Sequence, residues 1–503
     1  MHPRLCLSVL CLLTLVIAAN ASPQGGDKSE LISSQVDQLR SELTATQGQL
    51  TTAQQQIQEL RAEMEQMKAL LKGPGTSKQA PAGGEAFPTL ENAVKESKPE
   101  STPGEDQQVL AARVEELSQT KVETASRYKV KLSGLVLMNA YVNDGNVDIT
   151  DLPNLAYPHV PNTPGGDMGA TLRQSQIGLE MVGPRVFGAA TGASVLADFF
   201  GGFPDANYGS TYGLVRLRLA NAYLNWSHTK LVIGQDGLFF APQNPTSYAT
   251  LGEPALAWAG NLWVWTPQVR IEHRWDVSDK SNFTAQFGIL DSLTEQEPPD
   301  YFERTPTPGE SSRIPALGWH GALNSKLAGR DATFGVGGYY GRQAYSFDRN
   351  VDAWAVTADY NLPLGKYLAL SGEAFRGQAL GGLGGGIWNS ILASGDPSLA
   401  STEIIGMNDI GGWSQLKLMP IPKLEFNVAA GTDNPLASDL HYFTNPMGTY
   451  FSPLARNQAI FANSIYRPKG NLLFALEYRH LRTYSLQSKS SADHVNLAVG
   501  VSF

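Results

Sequence analysis

The fold of the chain can be predicted from its C-terminal segment, Val495-Asn496-Leu497-Ala498-Val499-Gly500-Val501-Ser502-Phe503. Apolar side chains occupy every second position, and small or polar residues lie between them. Because successive side chains of a β-strand point to opposite faces, this alternation predicts a strand with one apolar and one polar face. The same pattern recurs from residue 128 onwards in segments of about ten residues, a length and alternation typical of strands in a membrane-spanning β-barrel.

The connections between these segments favour a barrel over a secreted β-sandwich. Every second connection is short, as at Gly183-Pro184 and Ser227-His228, whereas most of the others are long and polar. Short periplasmic turns and longer outer loops are the asymmetry of an outer-membrane barrel, and a sandwich has no reason to show it. The sequence therefore predicts an all-β, up-and-down antiparallel transmembrane barrel at 127–503, with 16 strands favoured over 18. A barrel of this size leaves an aqueous channel. The predicted strands lie near 128–142, 169–182, 188–200, 211–226, 229–237, 264–277, 280–290, 314–326, 330–342, 350–362, 366–376, 407–420, 422–432, 453–466, 470–483 and 492–503.

The N-terminal 126 residues divide into three further segments. Residues 1–21 are predicted to be a signal peptide, with Arg4 before an uncharged apolar run and Ala19-Asn20-Ala21 as the cleavage site. That run is shorter than the ~20 apolar residues that a membrane-spanning helix needs. Residues 73–126 are rich in Pro, Gly, Ser and charge, which predicts a linker that carries one short helix.

Residues 22–72 carry a heptad repeat. Apolar residues recur every seven positions from Val36 to Leu71, and a second row follows three positions later, so the segment predicts an α-helical coiled coil. An isolated helix with so narrow a stripe leaves its seam in water, which favours self-association. The alternative is a single helix that packs on the downstream domain.

Composition excludes several other classes of protein. Lys and Arg number 38 against 47 Asp and Glu, a net charge of −9 with no basic block, which argues against nucleic-acid binding. The two cysteines, Cys6 and Cys11, lie within the predicted signal peptide, so no disulfide or cysteine-ligated metal is expected in the mature chain. The histidines lack zinc-ligand spacing and no Gly-x-Ser-x-Gly motif occurs, so we expect neither cofactor, metal nor enzyme activity. A barrel hydrolase whose site is assembled from loops is the least favoured alternative.

Charged residues at the polar positions of the alternating strands are expected to face the lumen, because a charged side chain that faces lipid has a high free-energy cost. Arginine is always charged and binds carboxylates bidentately, so a ladder of arginines in the lumen would attract small organic anions. In the alternative, these cations pair with carboxylates and only brace the wall; both interpretations stay open. The candidate pore-lining residues are Arg173, Arg216, Arg218, Arg270, Glu272, Arg274, Lys417 and Arg479.

The connection from Leu238 to Trp263 is unusually apolar for an exposed loop. Apolar side chains are unfavourable in water, so this loop is expected to pack in a dry or narrow place. We predict that it folds inward and constricts the pore, with a contact between subunits of a trimer as the alternative. The candidate constriction residues are Phe239, Phe240, Tyr248, Glu253 and Trp258.

Several motifs resemble those of the DcaP-like family of outer-membrane porins. They are the segments 173–179, 182–184, 197–202 and 216–223, and the segment 232–235 with the aromatic loop and Asn244-Pro245 that follow it. The family also has a coiled coil before its barrel, as predicted here. The resemblance implies a trimeric, sixteen-stranded channel for negatively charged aromatic or dicarboxylic acids.

These observations predict a channel of the bacterial outer membrane, with its N-terminal region in the periplasm. Small hydrophilic solutes would diffuse through it passively, with small organic anions preferred. The expected partners are two further copies of the chain, outer-membrane lipid, and cell-wall material bound through the coiled coil. A structural anchor or spacer that uses the coiled coil is the alternative function.

Overall fold

The computed structural model describes residues 129–202, 213–292, 305–327, 329–443 and 453–503. The predicted signal peptide, coiled coil and linker lie outside the described residues. Among the described residues, no helix is long and apolar enough to cross a membrane.

One antiparallel sheet closes on itself as a barrel of sixteen strands. Strand β1 pairs with β16, where Val136 lies opposite Val501, and on its other edge with β2. Strand β2 is interrupted at 172–175, and both of its halves pair with β1, so seventeen strand segments fill sixteen positions. The strands are β1 Lys129–Asp144, β2 Gly166–Thr171 with Gln176–Val182, β3 Ala190–Asp198, β4 Arg216–Asn225, β5 Thr229–Gly237, β6 Trp265–Ser278, β7 Ser281–Leu290, β8 Ala316–Leu327, β9 Arg330–Tyr345, β10 Arg349–Leu364, β11 Leu368–Gln378, β12 Asn408–Ile421, β13 Leu424–Pro435, β14 Leu454–Tyr466, β15 Leu472–Ser485 and β16 Lys489–Ser502.

The barrel and its strand count confirm the prediction from alternation. Each of the sixteen predicted segments overlaps one strand of the barrel, and the alternative count of eighteen is wrong. Two connections at the long-loop end are short turns of three residues, at 346–348 and 486–488, and are shorter than the other connections at that end. The interruption of β2 was not predicted.

The outer face of the barrel is apolar. On β16, Leu497 is 46% exposed whereas its neighbour Asn496 is 1% exposed, so the alternation directs apolar side chains outward. On β1, Val136, Met138 and Val142 are exposed in the same way. A continuous apolar surface of this extent is unfavourable in water, whereas an apolar band around a closed barrel matches the hydrocarbon layer of an outer membrane. The barrel is therefore of the outer-membrane type.

Three connections at the long-loop end are buried rather than solvated. We call them L1 (145–165), L3 (238–264) and L6 (379–407). Each contains fully buried residues, such as Leu152 in L1 and Phe240 in L3. The shorter elements are the paired segments Asn146–Val147 and Ala156–Tyr157, the paired segments Ile391–Ala393 and Ile404–Gly406, the 3-10 turns Gly381–Leu383 and Gly386–Trp388, and the single-turn helices Pro308–Ser311 and Ala437–Leu440.

Candidate functional site

The first part of L3 packs against the inner wall at β8–β11. The ring of Phe240 lies 5.3 Å from the ring of Tyr339, and Phe239 and Phe240 share a buried cluster with Ala355 and Phe375. The Thr357 hydroxyl donates a hydrogen bond to the carbonyl oxygen of Phe240. The aromatic side chains at the start of L3 therefore have a dry surface on the barrel wall, which explains their presence in a loop.

The middle of L3 crosses to the opposite wall. The backbone N–H of Thr246 donates to Oε1 of Gln415 on β12 over 2.6 Å, and Nδ2 of Asn463 on β14 donates to the Thr246 carbonyl over 2.8 Å. The Ser247 hydroxyl donates to Oε2 of Glu477 on β15 over 2.5 Å. Side chains from three strands thus satisfy backbone and hydroxyl groups of L3 that would otherwise be buried without partners.

The next part of L3, residues 248–252, runs past β1 and β2 to β4. Nδ2 of Asn139 on β1 donates to the Tyr248 carbonyl over 2.8 Å. Gln174, in the interruption of β2, accepts hydrogen bonds from the N–H groups of Leu251 and Gly252 over 2.6 and 3.0 Å. On β4, Nη1 of Arg218 donates to the Leu251 carbonyl over 2.9 Å. L3 is therefore a strap inside the barrel, fastened along most of its length.

The predicted constriction residues all lie in this strap. They are buried, with exposed fractions of 8% or less. Trp258 stacks on Trp388 of L6 with ring centroids 4.9 Å apart, and Nδ2 of Asn154 in L1 donates to Oε2 of Glu253 over 2.8 Å. L1 and L6 therefore pack on the strap. The residues concerned are Phe239, Phe240, Tyr248, Glu253 and Trp258.

The predicted pore-lining cations are paired with carboxylates. Oδ1 and Oδ2 of Asp198 accept hydrogen bonds from Arg216, with a closest distance of 2.7 Å, and the same carboxylate lies 3.7 Å from Nε of Arg218. This arrangement is the alternative that the sequence left open, in which the cations brace the wall. The other pairs are Arg173 with Asp151, Arg270 with Asp236 at 2.9 Å, Arg274 with Asp276 at 3.2 Å, Lys417 with Glu425 at 3.5 Å and Arg479 with Glu477 at 2.7 Å; Glu272 accepts a hydrogen bond from Gln286 over 2.7 Å.

Three of the predicted pore-lining residues meet at one cavity. Arg218, Arg270 and Glu272 line a space of about 190 Å³ between the strap and the wall formed mainly by β4–β8. Asp236 also lines it, and its carboxylate pairs with Arg270. The remaining predicted residues do not line this cavity: Arg173, Arg216, Arg274, Lys417 and Arg479.

Sequence reasoning missed several residues that line the cavity. Lys230 on β5 lies directly opposite Glu272 on β6. Since Glu272 was assigned to the lumen, the alternation of side chains along β5 could have predicted the same side for Lys230. Trp265 at the start of β6 lies under the Arg218 guanidinium, 4.4 Å from it, and offers an aromatic surface. Cation–π contacts of this kind hold a guanidinium in place without neutralising it. The others include Trp263, Gln286, His320 and Asn324.

Two acidic groups meet where L1 contacts L3. Burial, reinforced by the nearby Asp148 carboxylate, raises the pKa of Glu253 to about 7, although Arg216 and Arg173 act in the opposite direction. Burial also raises the pKa of Asp148 to about 6, against hydrogen bonds from the backbone N–H groups of Leu155 and Asn154. The contact between L1 and the strap is therefore sensitive to pH near neutrality.

No group of three or more His, Cys, Asp or Glu side chains that could hold a metal ion occurs in the part of the chain that the structure describes.

No family model and no curated protein matches the sequence. Among solved structures, the chain is similar to the outer membrane channel DcaP of Acinetobacter baumannii, with 16% identity and a TM-score of 0.58 over 76% of this chain and 100% of that one. An anion-selective porin from Comamonas acidovorans follows with 12% identity and a TM-score of 0.46, over 75% of this chain and 100% of that one. The predicted resemblance to DcaP-like porins is thus confirmed for the fold, which is that of an outer-membrane channel.

Proposed function

We propose that this protein is an outer-membrane channel through which small hydrophilic solutes diffuse passively. The observation that carries the proposal is the cavity between the L3 strap and the wall at β4–β8, where charged and amide side chains lie among apolar ones. A barrel that served only as an anchor would be more stable with apolar side chains in its lumen. Buried polar groups need hydrogen-bond partners and contribute little net stability. The polar lining favours passage of water-soluble molecules.

Small organic anions, such as dicarboxylic or aromatic acids, are the solutes that this lining fits best. Arg218, Lys230 and Arg270 place three cations around the cavity, and Trp265 supplies a face on which an aromatic ring can stack. Guanidinium groups recognise carboxylates bidentately. Because Asp236, Glu272 and Asp359 line the same cavity, we expect the preference for anions to be modest.

The L3 strap is proposed to set the width of the channel. It lies inside the barrel and contacts both walls, through Phe240 on one side and Ser247 on the other. Its many hydrogen bonds to side chains of the wall would keep it in place while solutes pass. Glu253 and Trp258 join the strap to L1 and L6, which would restrict the outer mouth.

A homotrimer is the proposed assembly. The outward phase of β3 and β4 carries small side chains at Ala193, Ala197, Ala220 and Ala222, on the same face as Val195. Small residues let two membrane-embedded surfaces approach closely, which favours contact between barrels. The predicted coiled coil at 22–72 would add a second, periplasmic contact between subunits and could bind cell-wall material.

The test is the conductance and zero-current potential of the purified full chain in a planar lipid bilayer under a KCl gradient. We expect open steps with a modest preference for chloride, and three equal closing steps for a trimer. Open steps with a preference for potassium would contradict the anion proposal and keep the channel. A folded barrel without conductance would contradict the channel and favour an anchor.

Swelling of proteoliposomes separates solute preference from ion preference. We expect faster entry for a dicarboxylate such as succinate than for a neutral sugar of similar size. Equal rates would show that the cations around Arg218 do not select the solute. The Arg274→Gln variant is the control. It should leave the difference between succinate and the sugar unchanged, because Arg274 pairs with Asp276 and does not line the cavity.

A further inference from the structure

A second polar surface lies on the outside of the barrel, at the long-loop end of β14–β16. Cross-strand pairing places Arg456, Tyr484 and Lys489 side by side in one row, on the outward phase of the three strands. The next row towards the membrane contains Arg482 between Gln458 and Ser491. Long loops mark the outer end of such a barrel, so this surface faces the outer leaflet. We call Arg456, Arg482, Lys489 and Tyr484 the rim cluster.

Two of the three cations of the rim cluster lie over one aromatic ring. The Arg456 guanidinium lies 5.7 Å and the Lys489 ammonium 5.9 Å from the centroid of the Tyr484 ring. Arg482 is two residues from Tyr484 on the same face of β15, a separation of about 7 Å along a strand. Three positive charges therefore lie in two adjacent rows of the same outer surface.

Within the described residues, none of these three cations is paired with a carboxylate. Nε of Arg456 donates to Oδ1 of Asn434 over 2.8 Å, and Nε of Arg482 donates to Nε2 of His480 over 3.0 Å. The carboxylate of Asp493 accepts from the Tyr478 hydroxyl over 2.6 Å and lies 2.7 Å from Nδ1 of His480, so it is joined to Arg482 only through that imidazole. The three cations outnumber the single carboxylate of Asp493 in the adjacent row, so the rim cluster carries a net positive charge on the surface.

One polar row, His480 with Asp493, separates the rim cluster from the apolar surface below it. Below Arg482 on the outward phase of β15 come His480, Tyr478 and Leu476, and on β16 the corresponding residues change from Ser491 and Asp493 to Val495. Tyrosines at this level form part of the aromatic girdle that marks the membrane interface. A molecule with a phosphorylated head and acyl chains would meet cations above this line and hydrocarbon below it.

We propose that the rim cluster binds the phosphate groups of a phosphorylated lipid headgroup in the outer leaflet. The guanidinium groups of Arg456 and Arg482 would donate hydrogen bonds to phosphate oxygens, and Lys489 would add a third positive charge. The acyl chains would lie along the apolar rows of β14–β16. Such a lipid would hold the strands that close the barrel against β1.

The test is native mass spectrometry of the full chain in detergent, titrated with diphosphoryl lipid A. We compare the wild type with the triple variant R456Q/R482Q/K489Q, for which we expect binding at least about tenfold weaker, because each basic residue near a membrane surface contributes to anionic-lipid affinity. The control is Arg342→Gln, which removes an outward arginine that pairs with Asp352 at 2.9 Å at the same end of the barrel. This control is expected to bind like the wild type.

Several outcomes would overturn the proposal. They are unchanged binding in the triple variant, an equal loss in Arg342→Gln, or complete displacement of the lipid by excess inorganic phosphate, which would identify a free-phosphate site. Loss of an oligomer rather than of lipid in the same spectra would instead identify a contact between protein chains. Folding is checked by heat-dependent migration in gels. If the triple variant does not fold, the single variants R456Q and R482Q replace it, and each is expected to weaken binding measurably.

Discussion

Gln174 and Leu251 are joined by the side-chain amide of one and the backbone of the other. Oε1 of Gln174 accepts the N–H of Leu251 over 2.6 Å, and Nε2 of Gln174 donates to the carbonyl of Ala249 over 2.9 Å. The interruption of β2 at 172–175 makes this possible, because Gln174 leaves the ladder of the sheet. A break in the wall therefore provides a fastening point for the L3 strap.

Gln174→Leu is expected to loosen the strap while the barrel still folds. The variant loses hydrogen bonds to three backbone groups of L3, and each buried polar group left without a partner costs about 1–3 kcal/mol. We expect a larger or noisier single-channel conductance. Asn221→Ser is the control, because Asn221 bonds to Ser194 on the neighbouring strand and not to L3. Identical conductance in the wild type and Gln174→Leu would contradict a fastening role for Gln174.

Arg270→Gln and Asp236→Asn are expected to shift ion selectivity in opposite directions. These side chains pair at 2.9 Å and line the cavity, so the removal of one leaves the charge of the other uncompensated. Arg270→Gln should move the zero-current potential towards cation preference, and Asp236→Asn towards anion preference, with severalfold changes in the permeability ratio. Shifts of the same sign would contradict this prediction, and no shift in either variant would show that ions do not pass this pair.

The conductance is expected to depend on pH between about 6 and 7, where Glu253 and Asp148 titrate. Folding raises the pKa of Glu253, so the favourable contribution of its neutral form is present at low pH and is lost as the pH rises through about 7. L1 should therefore hold the strap more tightly, and conductance should be lower, on the acidic side.

The Glu253→Gln variant tests the origin of that pH dependence. Its neutral amide cannot titrate, so the change in conductance near pH 7 should be lost, whereas the change near pH 6 that arises from Asp148 should remain. Glu403→Gln is the control, since Glu403 is an exposed residue of L6. An unchanged pH profile in Glu253→Gln would exclude Glu253 as the titrating group.

Gly431→Ala is expected to push the strap away from the wall. A methyl group at Gly431 on β13 would overlap the carbonyl oxygen of Ala259 in L3. Overpacking of this kind costs about 1–3 kcal/mol, which should lower the urea midpoint of unfolding and increase conductance. At Gly321, a methyl group would lie 3.2 Å from the Phe283 ring and far from L3, so Gly321→Ala is the control. Equal conductance in the two variants would contradict close contact at Ala259.

Leu497→Arg is expected to destabilise the barrel in lipid. Leu497 faces outward within the apolar band, where a charge costs about 2–4 kcal/mol. Ser491→Arg, on the same strand but at the rim, should cost about 0–1 kcal/mol. Unfolding by urea in liposomes measures both, and similar midpoints would contradict the placement of the band.

The strands could be predicted from the sequence, because the alternation of apolar and polar residues is a local pattern. For each residue from Val495 to Phe503, the alternation with its immediate neighbours shows whether the side chain faces outward or inward. The barrel and its sixteen strands were therefore predictable. The apolar composition of 238–263 likewise pointed to a loop that needs a dry environment. L1 and L6 gave a weaker signal, because the buried run 151–156 of L1 includes Asp151 and Asn154, and the buried stretch 379–393 of L6 is rich in glycine.

The partners of the charged residues were not predictable from the sequence. Arg173 pairs with Asp151 of L1, and Arg479 donates to the Pro153 carbonyl of the same loop over 3.2 Å, although 326 positions separate the two residues. Such pairs depend on the path of a loop through the lumen, which no local pattern encodes. For that reason the arginines could be assigned to the inner face, but their compensation by carboxylates could not be established.

The hydrogen bond from Ser247 to Glu477 spans 230 positions of the chain, and it bears on how the molecule assembles. Contacts of such long range form late, because the loop-closure entropy must be overcome before they contribute stability. The segment that becomes the strap is synthesised long before β14 and β15 exist to receive it. A partly formed sheet in which L3 is not yet bound should therefore precede the finished channel. The pairing of β16 with β1 and the narrowing of the lumen by L3 should be completed together.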